Sequence, residues 1–464
     1  MMRSGLSRIG VAVLLLAVCG CATYTSPFVH KTEDELEAME RLDAVAAGNF
    51  AAGNYSAAEK TLLSLTSEPT VSSPLYELER VSVLLQQGRR KDAHELMMKV
   101  RNDFELLFDE KSEKEAVSLW HGENKKVFKG DAHERATLYA FLALSFMELG
   151  DWDDAERSVK NGLLADSANT ADARYNSDYA LLQYIGYVAC RKAGRDDAAE
   201  EYMREMRGTL GAKHAALDLL SKAPLPNAFA VVWAGTPPTY VRGGEYRHIR
   251  HVIPGTGSPF SYLSAESGDG VELLIPKGLA DVNFQATTRG GREMDTVLNN
   301  KAAVKTGMAA SGNLLLVAGF ACISAMGSDA KADIVLGSVG GGCLLLGCTF
   351  HIIGACINSS ADVRCWKNLP GELMVVPMVL PVGEQEIAVR GYMHRDNVVR
   401  TAKTVQIRPD AVATAHLSLM QYPVFADPTT AIIKAGVQVS NAAQAPFSSS
   451  LPAEITPIVK GEDK

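Results

Sequence analysis

Two uncharged, apolar runs dominate the pattern of hydrophobic and polar residues, at 306–327 and 334–361. A short polar linker separates them. Each run is long enough to cross a hydrocarbon core, which needs about 20 apolar residues in a helix. The pattern predicts two helices, roughly Lys305–Met326 and Ala332–Asn358, and a linker this short makes neighbouring helices run antiparallel.

The predicted hairpin has no side suited to water, because apolar residues fall all around both runs. Gly337 and Gly341 have the small-x₃-small spacing that lets helix backbones approach closely. The hairpin therefore requires cover, either from a bilayer or from burial within protein or an oligomer interface. In a bilayer, Lys305 and Asp362 would mark its two ends on one side, and the charged linker would have to cross.

Residues 31–222 have a pattern typical of helices, because Leu and Ala recur at spacings of three and four among many charged residues. A Gly-x₄-Ala pattern occurs four times, where one apolar helical run ends and another begins. Its members are Gly53 and Ala58, Gly88 and Ala93, Gly150 and Ala155, and Gly194 and Ala199. Glycine supplies the left-handed backbone that ends a helix, and alanine lets the next helix cross close by.

The segment around Gly150 resembles the tetratricopeptide repeat. The matching residues are Tyr139, Leu142, Ala143, Phe146, Gly150, Trp152 and Ala155. The resemblance implies a solenoid of stacked helix pairs, whose concave face is an extended binding surface. Only the spacing from Gly53 to Gly88 is near the 34 residues of that family, so a generic helical bundle stays an alternative.

After Pro226 the pattern predicts short strands separated by turn residues, as in an antiparallel sandwich or small barrel. The predicted strands are 229–233, 271–275, 281–288, 373–380, 386–392, 400–407 and 412–420. The predicted fold class is therefore α+β: an N-terminal tetratricopeptide-like α-solenoid followed by an antiparallel β domain that carries the apolar, Gly-rich helical hairpin. The predicted domains are a helical domain at 31–222, a β-rich domain at 226–425 with the hairpin at 305–361, and a flexible tail at 426–464.

The N-terminus resembles a bacterial lipoprotein signal. Two arginines precede an apolar stretch at 9–18 that is too short to span a membrane as a mature helix. Gly20 is the small residue expected before an acceptor cysteine, so Cys21 is the predicted lipidation site, after a signal peptide at 1–20. Residues 21–30 are a tether. Ala22 favours, by this resemblance, the outer membrane facing the periplasm. An ordinary secretory signal is the alternative.

Charge and cysteine content narrow the function classes. The formal net charge of −8 argues against a nucleic-acid partner. The late cysteines lack the paired spacing of a metal site, so no metal or cofactor is predicted, and one disulfide stays open in an oxidising compartment. No nucleophile–base pair is recognisable in the sequence, which favours a protein that is not an enzyme and has no catalytic residues.

Residues 134–154, 226–235 and 362–370, with 380–383, together resemble a family of uncharacterised bacterial lipoproteins that have a tetratricopeptide-like N-terminal half and a β-rich C-terminal half. The resemblance implies an envelope location and carries over no functional residues. The expected function is that of a non-enzymatic, lipid-anchored envelope protein, whose helical repeats serve as a scaffold for an envelope protein partner. The alternative is a membrane-inserting or pore- or secretion-associated component that uses the 305–361 hairpin.

Overall fold

The protein is an α+β fold with helices in the N-terminal half and sheets in the C-terminal half, as the sequence predicts. The computed structural model describes residues 28–29, 31, 33–106, 114, 116–167, 177–260, 262–267, 272–288, 293–327, 330–394 and 397–420. The described residues belong to one compact unit. The predicted signal peptide, Cys21 and the tail at 426–464 lie outside them.

Nine helices of the described N-terminal half pack mainly against their neighbours in sequence. They are α1 (Glu33–Ala51), α2 (Tyr55–Leu65), α3 (Ser73–Gln87), α4 (Arg90–Leu106), α5 (Ala132–Leu149), α6 (Trp152–Ser167), α7 (Ala180–Lys192), α8 (Asp196–Leu210) and α9 (Ala215–Lys222). Pro74 lies in the first turn of α3, where a missing N–H breaks no helical hydrogen bond. The Glu134 carboxylate accepts the Asp131 N–H at the start of α5 (2.7 Å).

The four glycines of the Gly-x₄-Ala pattern lie between consecutive helices and have left-handed backbone. Their φ angles are 79° at Gly53, 73° at Gly88, 77° at Gly150 and 73° at Gly194. The alanines of the pattern are fully buried in the helical core, as is Ala143: Ala58, Ala93, Ala143, Ala155 and Ala199. The larger repeat residues Tyr139, Leu142 and Phe146 are buried in the same core, and Trp152 packs against it.

The described strands form two four-stranded sheets and a separate hairpin. They are β1 (Ala228–Ala234), β2 (Thr239–Gly243), β3 (Ile249–Ile253), β4 (Tyr262–Ser267), β5 (Glu272–Leu274), β6 (Ala280–Asp281), β7 (Glu372–Met378), β8 (Gly383–His394), β9 (Asn397–Ile407) and β10 (Ala413–Ser418). The strand orders are β10-β1-β7-β6 and β5-β4-β8-β9, and β2 pairs with β3. The two sheets enclose one hydrophobic core, as in a sandwich.

Strand β1 is the layer that joins the two halves of the molecule. All of its residues are buried, because both of its faces are covered. Ala230 and Val232 belong to the core between the sheets. Phe229 and Trp233, on the opposite face, belong to the helical core. There Trp233 stacks on Phe141 of α5, with ring centroids 5.1 Å apart.

Two predictions about the β half are corrected. Residues 281–288 form the end of β6 and then helix α10 (Val282–Thr288), not a strand. The Asp281 carboxylate accepts the Phe284 N–H (2.9 Å), which caps a helix rather than extending a strand. The sheets are also not purely antiparallel, since β1 and β10 pair in parallel. These strands are far apart in sequence, so no tight hairpin fixes their relative direction.

Candidate functional site

The apolar stretch forms two long helices that pack as a hairpin, α11 (Glu293–Ser324) and α12 (Ala330–Cys356). The predicted helical hairpin is thus confirmed, with a correction at its start, because α11 begins at Glu293 rather than near Lys305. This first part of α11 lies in the body of the protein. Leu298 is fully buried there, and Lys301 is 2% exposed.

Glycines form the contact line between the two helices. Gly312 and Gly319 of α11 face Gly347 and Gly340 of α12. A Cβ added to any of these four would lie between 2.9 and 3.1 Å from the carbonyl oxygen of the facing glycine. The spacing of seven residues on both helices keeps a contact line facing its partner over several turns. We refer to these residues, together with Gly354, as the glycine seam.

The glycines that the sequence singled out, Gly337 and Gly341, lie off this seam. A Cβ at Gly341 would meet no atom within 4 Å, and one at Gly337 would meet only Met326, at 3.6 Å or more. Within the hairpin, this pair therefore does not bring the two helix backbones together. The seam follows a seven-residue repeat, which the spacing of Gly340, Gly347 and Gly354 would have indicated.

The outer surface of the hairpin is apolar, and many of its large side chains are exposed. Its large side chains that are more than half exposed are Leu314, Val317, Phe320, Ile334, Val335, Val339, Leu345, Leu346 and Ile352. Both helices are long and apolar enough to cross a membrane, and their most apolar windows are 11% buried in α11 and 17% buried in α12. A core helix of a soluble protein can have the same length and composition, but it is mostly buried.

The base of the hairpin is fixed to the body by hydrogen bonds. Lys301 Nζ donates to two carbonyl oxygens of the segment 116–121 (2.5 and 2.9 Å). The Asn358 N–H donates to a carbonyl oxygen of the same segment (2.9 Å). Lys305 Nζ donates to the Ile357 carbonyl oxygen (3.0 Å), which ties the two helices together where they leave the body.

Exposed apolar side chains lie beside this base. Val117, Leu119 and Trp120 are 51%, 36% and 53% exposed, and we refer to these three residues as the collar. Tryptophan is enriched where a membrane meets water, because its ring is amphipathic. Lys305 Nζ lies over the Tyr246 ring, 5.2 Å from its centroid, at the same level. The base of the hairpin thus combines apolar, aromatic and cationic side chains.

A second candidate surface, the inner face of the helical half, is occupied by the chain's own residues 362–370. Arg364 donates to the carbonyl oxygens of Val71 (3.2 Å) and Lys126 (2.7 Å). Trp366 Nε1 donates to Ser82 Oγ (2.9 Å). This segment, which contains a turn at 367–368, contacts the helices through side-chain and backbone groups.

Two buried carboxylates bind the backbone of that segment. Glu79 accepts the N–H groups of the two residues after Trp366 (2.5 and 2.9 Å), and Glu134 accepts the Trp366 N–H (2.5 Å). Burial and the nearby Asp131 carboxylate together raise the pKa of Glu134 to about 8, although the backbone N–H groups lower it. Burial also raises the pKa of Glu79. Glu79 and Glu134 hold the segment in place, because they accept hydrogen bonds from its backbone N–H groups.

Comparison with known proteins gives no family for this chain. No protein-family model matches it, and no curated protein or solved structure is significantly similar to it. Among the described residues, no group of three or more His, Cys, Asp or Glu side chains could hold a metal ion. The six cysteines in the described part are free thiols. The hairpin and its base are therefore the features from which a function can be argued.

Proposed function

We propose that this protein is a non-enzymatic, lipid-anchored component of the bacterial cell envelope that inserts the hairpin of α11 and α12 into a bilayer. The observation that carries the proposal is the apolar surface of the hairpin, which is exposed on the sides that face away from the glycine seam. Transfer of such a surface from water into hydrocarbon is favourable by about 25 cal/mol per Å² of apolar area. Large uncovered apolar surfaces of this kind mark membrane or partner contacts.

The length of the projecting part supports insertion. From Lys305 to Ser324, α11 rises about 30 Å at about 1.5 Å per residue. The hydrocarbon core of a bilayer is also about 30 Å thick. Charged residues lie at both ends of this length, with Lys305 at the base and Lys331 and Asp333 at the tip. The helices satisfy their own backbone groups, which a spanning element requires.

The start of the described chain is linked to the region of the hairpin base through hydrogen-bonded segments. Val29, near the start of the described chain, is hydrogen-bonded to Pro69 (2.8 Å), and Val71 is hydrogen-bonded to Phe128 (2.8 Å). Nearby, Glu123 donates its N–H to the segment just after α12 (3.1 Å). The few residues between Cys21 and Val29 reach at most about 30 Å. One membrane can therefore hold both the lipid and the hairpin.

Tetratricopeptide-like repeats that bind an envelope protein are the alternative proposal. The left-handed glycines and the buried alanines between consecutive helices support a repeat character. The face that would receive a peptide, however, holds the chain's own residues 362–370, in which Trp366 is 1% exposed. A protein partner would have to bind elsewhere on the body, so the scaffold proposal has less support than insertion.

Membrane extraction tests insertion separately from lipidation. In a mature chain with Cys21→Ser, exported through an ordinary signal-peptidase site, we expect the protein to stay in the membrane pellet after carbonate washing, because the hairpin alone retains it. In the native precursor, Cys21→Ser is expected to abolish palmitate labelling. A soluble monomer after the carbonate wash would contradict insertion, and normal palmitate incorporation would contradict the anchor.

A matched deletion provides the control. Lys305 and Ile357 are already hydrogen-bonded, so a short Gly-Ser linker can join them in place of residues 306–356. The body of this variant keeps its contacts, and we expect its circular dichroism to show the loss of the hairpin helices alone. Without a lipid, the variant should be released by carbonate. Retention in the pellet would mean that another part of the chain binds the membrane.

A further inference from the structure

Asn313 interrupts the apolar outer surface of the hairpin. It lies on α11 eight residues after Lys305, about 12 Å into an inserted hairpin. Its side chain is exposed, and its amide makes no hydrogen bond with any residue that the structure describes. By contrast, the exposed Ser338 and Thr349 of α12 donate to carbonyl oxygens of their own helix (2.9 and 2.8 Å). Asn313 thus presents an unpaired amide at a depth where lipid offers no hydrogen-bond partner.

The neighbours of Asn313 form one side of the hairpin. We term this side the amide flank; it carries Asn313, Val317 and Phe320 on α11 and Gly341 and Leu345 on α12. On each helix these residues begin one position after a seam glycine, so they lie on the same side of the plane that contains both helix axes. Val317, Phe320 and Leu345 are 67%, 61% and 74% exposed.

Gly341 gives the amide flank a place where another backbone can approach. The seam does not use this glycine, since a Cβ there would meet nothing within 4 Å. Small residues on the outer side of a membrane helix allow a second helix to pack closely. The flank therefore combines a polar group that needs a partner with a surface that a helix can reach.

We propose that the amide flank binds the amide flank of a second copy of this chain, with the two Asn313 amides hydrogen-bonded to each other. This inference rests on the proposed insertion of the hairpin. A side-chain amide has both donors and an acceptor, so two copies satisfy one another. Two-fold pairing brings the same residue of both copies together.

Equal depth makes a second copy the partner that fits best. The collar and the base residues set how far each hairpin enters the membrane, so two copies on the same side of one bilayer carry Asn313 at the same level. A buried asparagine pair of this kind also fixes register and partner number between packed helices. Hydrogen bonds between helices stabilise their association in membranes.

Disulfide crosslinking of the full-length, lipidated protein in native membranes tests the pairing. The background carries serine in place of the four hairpin cysteines, Cys322, Cys343, Cys348 and Cys356. Val317→Cys then places a thiol on the amide flank, and Ser311→Cys places one on the opposite side of α11 as the matched control. Mild oxidation is expected to give at least about tenfold more covalent dimer with Val317→Cys, because distant thiols cannot bridge.

Substitutions of Asn313 distinguish the effect of its side-chain amide on dimer formation from the effect of the shape of the amide flank. In the Val317→Cys protein, Asn313→Leu is expected to lower the dimer yield about tenfold, whereas Asn313→Gln keeps an amide and most of the dimer. Equal yields from Asn313 and Asn313→Leu, or from the two cysteine positions, would overturn the pairing. The same cysteine variants are also prepared as mature chains with Cys21→Ser and washed with carbonate. If the protein stays in the membrane pellet but gives no covalent dimer, the pairing is contradicted and the insertion is not. If the wash releases covalent dimers, the pairing is supported and the proposed insertion is contradicted.

Discussion

At the scale of single residues, buried polar groups between the helices and the sheets are fixed by specific partners. His416 of β10 lies beside the Trp233 ring, and Trp233 Nε1 donates to His416 Nδ1 (3.2 Å). This bond requires an imidazole whose Nδ1 carries no proton. Burial lowers the pKa of His416 well below its ordinary value, and the cations Lys403 and Arg90 lower it further.

The free energy of unfolding should therefore depend on the protonation of His416. Below about pH 6.5 the unfolded chain binds a proton at this histidine and the folded chain does not. Above that pH, His416 makes its full contribution to the free energy of unfolding. As the pH falls below it, this contribution is lost by at most about 1.4 kcal/mol per pH unit. Urea unfolding between about pH 7 and pH 5 measures this loss.

The matched variants for this measurement are His416→Asn and His251→Asn. His416→Asn keeps an acceptor near the position of Nδ1 but does not titrate, so its stability should depend less on pH than that of the wild type. His251 is exposed on β3, and its replacement is the matched control. If the free energy of unfolding changed with pH equally in the wild type and in His416→Asn, the role of His416 in the pH dependence would be contradicted. The pairing could not be predicted from the sequence, because Trp233 and His416 lie 183 residues apart.

At the scale of elements, small residues hold helices together at their crossings. In the hairpin, a Cβ on Gly340 would lie 3.0 Å from the Gly319 carbonyl oxygen, whereas the next residue, Gly341, has open space. Gly340→Ala should push the helices apart and lower the melting temperature in mild detergent. Gly342→Ala should be neutral or stabilising, by up to about 1 kcal/mol of helix propensity, because a Cβ on Gly342 would meet no atom within 4 Å and this residue is outside the amide flank. The reverse order of melting temperatures would contradict the glycine seam.

In the helical half, Ala155 is fully buried where α5 and α6 pack together. Ala155→Leu adds volume to this contact and should lower the free energy of unfolding by about 1–3 kcal/mol. Ala57 is exposed on α2, so Ala57→Leu should change the free energy of unfolding by less than about 0.5 kcal/mol. The midpoints of urea unfolding compare the two variants. An unchanged midpoint for Ala155→Leu would count against a close helix crossing at this residue.

The sequence predicts those features of the elements that are set within a few turns of helix. The apolar runs at 306–361 and the Gly-x₄-Ala pattern are local signals of this kind. The early start of α11 depends on distant contacts, since Lys301 donates to carbonyl oxygens of 116–121. Which glycines of α12 belong to the glycine seam also depends on the facing helix, α11. The helix at 282–288 likewise needs the body, where Asn283 accepts the Gly255 N–H (2.6 Å).

At the scale of the whole molecule, the helices and the sheets are layers around shared cores. A strand as apolar as 228–234 predicts that both of its faces are covered, but its sequence does not identify the covering elements. In the structure, helices cover one face and the second sheet covers the other. Trp366 adds to the same core, with its ring centroid 6.1 Å from that of Phe141. The regions predicted as separate domains, 31–222 and 226–425, thus share their packing.

We therefore expect the helical and β halves to unfold together. Trp366→Ala removes a buried indole and its hydrogen bond to Ser82, which should cost about 3–5 kcal/mol. Far-UV circular dichroism follows the helices, and tryptophan fluorescence follows the remaining indoles, which include Trp233 in β1; both transitions should move to the same lower urea concentration. Trp120→Ala, which removes a half-exposed side chain, is the control and should leave both midpoints unchanged. If the fluorescence transition moved while the helical transition stayed in place, the helical half would be a domain that folds alone, and its contact with residues 362–370 would be a docked interface rather than part of the core.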